Sequence, residues 1–125
     1  MGEVKKQGME SLFVPYEIAL KLKALGFDEP CFGSYIFGDK LSIKYSEDQF
    51  ITESCCLAPT FSQAFRWFRE KYGLFTQVER GQNPTNYYPI IDNVSHRYNA
   101  DLWFDTYEEA ELACLNKLIE ICKNK

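Results

Sequence analysis

Histidine is nearly missing from this chain: His96 is the one residue of its kind among 125. Cysteine–histidine catalysis would have to bring that ring to Cys55 or Cys56, with Asp92, Asn93 or Asp101 to orient it. No local motif announces such an arrangement, and two small thiols with a surface histidine account for the same residues. The five cysteines, Cys31, Cys55, Cys56, Cys114 and Cys122, are an odd number and form no C-x-x-C pair, which fits a reduced compartment. A zinc site on Cys55, Cys56 and His96 would lack a fourth soft ligand, and adjacent cysteines close a tetrahedron poorly. Gly33, Gly38 and Gly81 do not assemble into a G-x-G-x-x-G or P-loop pattern, so no phosphate cradle is visible. Catalytic residues, metals and cofactors are therefore expected to be none.

Long apolar runs are absent too. No stretch approaches the length of a membrane span, and the start, MGEVKKQGMES, has no apolar middle of the signal-peptide kind. Lys6 stands where an N-myristoylation motif needs Ser or Thr. A cytoplasmic protein with no membrane partner is expected. Excess positive charge is missing as well: 14 basic against 18 acidic residues give a net charge of −4, which offers phosphate backbones no chain-wide attraction and disfavours nucleic acid.

Aromatics, in contrast, are plentiful at 16% of the chain, with ten Phe and eight Tyr, enough for a core and an exposed patch besides. The most strongly patterned stretch is APTFSQAFRWFREKYG, residues 58–73. Phe61, Ala64, Phe65, Phe68 and Tyr72 share one face at helical spacing, Pro59 suits the first helical position, and Gly73 suits the residue just past the end. Ser62, Arg66, Arg69 and Glu70 mark the solvated face. Trp67 projects about a third of a turn from the stripe, beside Gln63 and Lys71, which places it at the rim of a core or on an interface.

Around this helix the rest of the chain reads in order. Residues 1–11 are polar and aperiodic, a flexible arm before a single domain over 12–125. Pro15 opens a helix with Ile18, Ala19, Leu22 and Leu25 inside, and Gly26 closes it under Phe27. Residues 31–37 and 41–45 make a hairpin, in which Leu41, Ile43 and Tyr45 alternate with Ser42 and Lys44. Residues 46–57 read as a loop or irregular edge. Beyond the central helix come strands at 74–79 and 86–94 around the turn-rich RGQNPT, with Pro89 confining the second to an edge or bulge. A short fifth strand is expected at 101–104. The last helix starts with a capping box, Thr106 to Glu109, and buries Leu112, Leu115, Leu118, Ile119 and Cys122, flanked by Cys114 and Ile121.

The fold class is thus α+β, a single domain in the order α-β-β-α-β-β-(β)-α, with a mainly antiparallel sheet and helices packed on one face. The helix–glycine–strand grammar shared by KLKALGFDEPCF and FREKYGLFTQVE is compatible with a duplication and with two unrelated hairpins.

Two motifs, AP-x₄-AF-x-WFREK-x-GL over residues 58–74 and TYEEAELACLNKLIEI over 106–121, resemble a group of uncharacterised small proteins from gut bacteria and their prophages. They cover about a quarter of the chain. The resemblance implies an accessory or mobile-element protein and carries over no catalytic residue.

For function, the surplus of aromatics without a catalytic motif points to a non-enzymatic interaction protein that binds a protein partner or itself. The expected binding residues are Trp67, Arg66 and Arg69 of the central helix together with Tyr87, Tyr88, Tyr98 and Trp103 around the second hairpin. Tyr87 and Tyr88 point to opposite faces of a strand, so the core takes at most one of them. One alternative is a single-stranded nucleic-acid accessory protein, with Arg66, Arg69, Arg80 and Lys71 around Trp67 as a basic and aromatic surface. Pairing with Glu70 and Glu79 would instead make that surface an ordinary solvated face. A small hydrolase using Cys55 or Cys56 is the other alternative. The acids Asp105, Glu108, Glu109 and Glu111 are compatible with a divalent cation and more simply with the dipole and cap of the helix start.

Overall fold

The helix that Pro15 introduces runs Tyr16–Ala24 (α1) and ends in a Schellman turn. Gly26, at φ 100°, donates to the Lys23 carbonyl (3.0 Å), and the Phe27 N–H donates to that of Leu22 (3.0 Å), satisfying two carbonyls the helix leaves open. Ile18, Ala19 and Leu22 are buried, as is Phe27, whereas Leu25, expected inside, is the half-buried C-cap residue. A computed structural model describes residues 8–36, 38–43, 56–82, 86–93, 97–99 and 103–124. Within it the protein is α+β. Its contacts gather into two compact units, residues 1–62 and 63–125.

In the first unit, part of the expected arm, Gly8–Leu12, forms a 3-10 helix, and residues 1–7 lie outside the described residues. Strands β1 (Gly33–Ile36) and β2 (Lys40–Ile43) form the expected hairpin. The alternation read along β2 is flatter than expected: Leu41, Ser42 and Ile43 are all half-buried, and Tyr45 is outside the described residues. A third strand, β3 (Cys56–Ala58), lies on the other side of β1, giving the antiparallel order β2-β1-β3. It falls at the end of the stretch expected to be a loop. All three of its residues are buried, so the polar-apolar alternation that reveals a half-wet strand is missing. Pro59 corrects the reading in the same way. It does not start the helix; its carbonyl accepts from the Val14 N–H at 3.0 Å, and an isolated bridge joins Phe13 to Thr60.

Tyr35 fixes the middle of this unit. Its hydroxyl donates to the Val14 carbonyl (2.7 Å), and its ring meets Tyr16 edge-on at 5.3 Å. Burial first, and then the charges of Cys56, Glu17, Asp39 and Glu10, push the phenol above its usual range and keep it a donor.

The central helix, α2, runs Phe61–Tyr72. Its buried residues are Ala64, Trp67 and Phe68, while Phe61, Phe65 and Tyr72 are half-buried. The inward face is therefore turned toward Trp67 and away from Phe65. At the C-terminus Gly73, with φ 67°, donates to the Arg69 carbonyl (3.1 Å).

The second unit holds strands β4 (Phe75–Arg80), β5 (Tyr87–Asp92) and β6 (Arg97–Asn99) in the antiparallel order β4-β5-β6. The expected fifth strand sits earlier in the chain than residues 101–104; only Phe104 joins in, through an isolated bridge to Tyr87. Residues 101 and 102 lie outside the described residues. Pro89, expected at an edge or bulge, is in the middle strand opposite Val78. Among the described residues the β5–β6 pairs run from Asp92–Arg97 to Ile90–Asn99, and none involves Pro89. Helix α3 (Tyr107–Lys123) packs across β5 and β4 with Ala110, Cys114, Leu115, Leu118, Ile119 and Cys122 buried. None of the helices is long and apolar enough to cross a membrane among the described residues.

Candidate functional site

On strand β4 the exposed residues Phe75, Gln77 and Glu79 alternate with the half-buried Thr76 and Val78. Register puts Tyr87 opposite Arg80 and Tyr88 opposite Glu79, so the two tyrosines occupy opposite faces. Both are half-buried. The Tyr88 ring backs onto Gly81, whose N–H donates to the Asn86 carbonyl (2.8 Å) and closes the hairpin loop. The Tyr87 ring meets Tyr107 of α3 edge-on at 6.1 Å.

Next to this contact the backbone is pinned. Tyr87 and Phe104 exchange both N–H···O=C bonds at 2.9 Å, a narrow rung between β5 and the segment leading into α3. Thr106 then caps the helix: its hydroxyl accepts from the Glu109 N–H (3.1 Å) and donates to the Glu109 carboxylate (2.9 Å). A cap of this kind contributes about 1 kcal/mol. On either side of half-buried Phe104, Trp103 and Tyr107 are 52% and 45% exposed. Tyr87 thus joins Phe104 through its backbone and Tyr107 through its ring at one end of the second sheet, where Trp103 and Tyr107 are exposed.

Tyr107 was not among the residues expected to bind, because it reads as a spacer inside the capping box. The signal was available. Tyr107, Glu111, Cys114, Leu118 and Cys122 fall at i, i+4, i+7, i+11 and i+15, one stripe of α3. Cys114, Leu118 and Cys122 are buried, Glu111 is half-buried and Tyr107 emerges.

Electrostatics follow from that position. Burial, and secondly Glu108, push the Glu111 carboxyl above its ordinary value of 4.5. The folded chain thus holds this proton more tightly than the unfolded chain. Ionised Glu111 costs stability above its raised pKa, and the cost is relieved as pH falls from that value toward 4.5. Glu111→Gln is expected to melt higher than the parent at neutral pH, with the advantage gone below 4.5; paired thermal melts over pH check this. Burial, with Glu111 behind it, also pushes the Cys114 thiol up to about 12. It remains a protonated, apolar core group.

The other expected site residues are dispersed. Trp67, read as a rim or interface residue, is 5% exposed and stacks edge-on against Phe68 (5.0 Å) and Tyr72 (5.6 Å). The physical reason is Lys71, whose ammonium lies 5.0 Å over the indole, so a long polar side chain covers the ring instead of exposing it. Arg66 and Arg69 are exposed on α2, with Arg66 bonded to Glu70 at 3.3 Å. The basic surface therefore has no free face of Trp67 on which a base could stack. Tyr98 opposes Ile91 through the backbone of β6, and its side chain is outside the described residues. Cys55 and His96 are outside them too, while Cys56 is buried. Cys31, Cys114 and Cys122 are likewise buried free thiols. Among the described residues no three His, Cys, Asp or Glu side chains gather where a metal ion could be held.

Compared with protein-family models, curated proteins and solved structures, the chain matches none.

Proposed function

We propose that this chain is a non-enzymatic cytoplasmic interaction module that binds a protein partner through the aromatic end of its second sheet, Tyr87, Trp103 and Tyr107. The observation that carries the reading is the half-exposure of Trp103 and Tyr107 on either side of Phe104, whose backbone is locked to Tyr87. Rigid aromatic anchors lose little freedom when a partner covers them, and such residues dominate interface energetics. Covering each ring would contribute roughly 1.5–3 kcal/mol. The accessory role implied by the resemblance to small prophage proteins belongs to the same proposal.

Buried Trp67 removes the central helix from this surface, and burial of Cys56 and Cys114 leaves both thiols poorly placed for a nucleophile. The double variant Trp103→Ala/Tyr107→Ala is expected to melt close to the parent, because neither side chain is buried. It should also fail to recover a partner that the parent chain retains through purification, as compared by quantitative mass spectrometry. Equal recovery by both proteins, or a parent that is monomeric and retains nothing, contradicts the reading.

A further inference from the structure

The segment around Tyr107 is acidic. Asp105, Glu108 and Glu109 are exposed and Glu111 is half-buried, all within one turn of Tyr107 along the chain. The helix dipole and the Thr106 cap account for Asp105, Glu108 and Glu109, which stand at the N-terminal end. They do not account for Glu111, which lies on the apolar stripe, one turn before buried Cys114. Desolvating a carboxylate beside a second one is unfavourable unless a cation arrives. The ion pairs Arg66–Glu70 and Lys117–Glu120 involve neither Glu108 nor Glu111. Arg80, opposite Tyr87 at the end of the β4–β5 ladder, is exposed and pairs with no carboxylate among the described residues.

We infer that the Tyr87–Tyr107 edge with Glu108 and Glu111 is a docking surface for a basic protein segment, one lysine or arginine of which lies against the tyrosine rings and between the two carboxylates. This rests on the interaction reading above and names the partner's chemistry. Aromatic faces and carboxylates favour the same kind of guest, a desolvated cation, through cation–π attraction and charge-assisted hydrogen bonds. A second copy of this chain fits worse, since two such surfaces would set carboxylates against carboxylates, and a like-charged face suppresses self-association.

The test is calorimetric titration of the full chain with three short synthetic peptides of equal length, one bearing arginine and lysine, one with glutamate in their place, and one neutral and leucine-rich. Expected is binding of the basic peptide alone, weakening with salt. Both Tyr107→Ala and the pair Glu108→Gln/Glu111→Gln should weaken it by about tenfold or more, the loss of one charge-assisted contact. Thermal melts of these variants separate lost binding from lost folding. Basic-peptide binding that ignores all three substitutions would be attraction to the net charge and overturns the inference. Binding of only the neutral peptide, still lost in Trp103→Ala/Tyr107→Ala, overturns the inference and leaves the interaction reading standing. Should no peptide bind while that double variant still loses the partner retained by the parent, the inference also fails and the interaction reading again survives.

Discussion

Phe68→Asp is expected to lose both its near-ultraviolet aromatic signal and its cooperative melting. Phe68 is fully buried, with its ring 5.0 Å from Trp67 and 5.9 Å from Tyr72. Removing a buried phenylalanine ring costs about 3–5 kcal/mol, and placing an unpaired carboxylate there adds several more. Against a net stability of roughly 5–15 kcal/mol, the sum is enough to unfold the chain. The same substitution at half-buried Phe65 should leave a protein that melts cooperatively, at lower temperature. Circular dichroism of the two variants side by side reads the orientation of α2 directly. Two unfolded variants would return the buried face to the Phe65 side.

Gly33→Val should be the most damaging change in the first unit, with a loss of about 3 kcal/mol, the upper end for overpacking. Gly33 belongs to the middle strand, and no positive φ is involved. A Cβ there would lie 2.6 Å from Cδ1 of Phe13 and 2.8 Å from the Ala58 carbonyl oxygen. Phe13 is itself 5% exposed, and Ala58 is backbone in the neighbouring strand, so neither can give way cheaply. Denaturant unfolding of Gly33→Val against the parent measures the loss. A variant as stable as the parent would show that the approach of Phe13 to β1 is looser than described.

Both results turn on features that the sequence shows only in part. Helix ends were legible because their chemistry is local: Gly26 with Phe27, Gly73 and the Thr106–Glu109 box each act within one turn. The first hairpin was legible as an element, though not the alternation along β2, and the inner face of α3 was legible from periodicity except at Leu112, which is half-buried. Strand β3 was not, since three consecutive buried residues carry no alternation. The orientation of α2 is roughly a sixth of a turn from the expected one, because four of its five aromatics, Phe68 included, cluster on one side and Lys71 beside Trp67 suggests solvent. The position of Pro89 in a middle strand depends on the pairing of β6 with β5, which is information held by a distant segment.

The site was legible to a similar degree. Trp103 and the opposed tyrosines Tyr87 and Tyr88 were singled out from composition and strand alternation, whereas Tyr107 was hidden by its place in the capping box. Its partnership with Tyr87 exists only because α3 crosses β5, a long-range contact. Trp67 went the other way, an apparent surface aromatic that the fold consumes.

The claim that this end of the second sheet is the interaction surface is tested most directly by amide hydrogen exchange of the chain, alone and in complex with the partner it retains. Slowed exchange concentrated in the segment from Trp103 to Glu111 and at Tyr87 and Tyr88 is the expected result. Protection confined to α1, to β2 or to the exposed edge residues of β4, with the Trp103 to Glu111 segment unchanged, would contradict it.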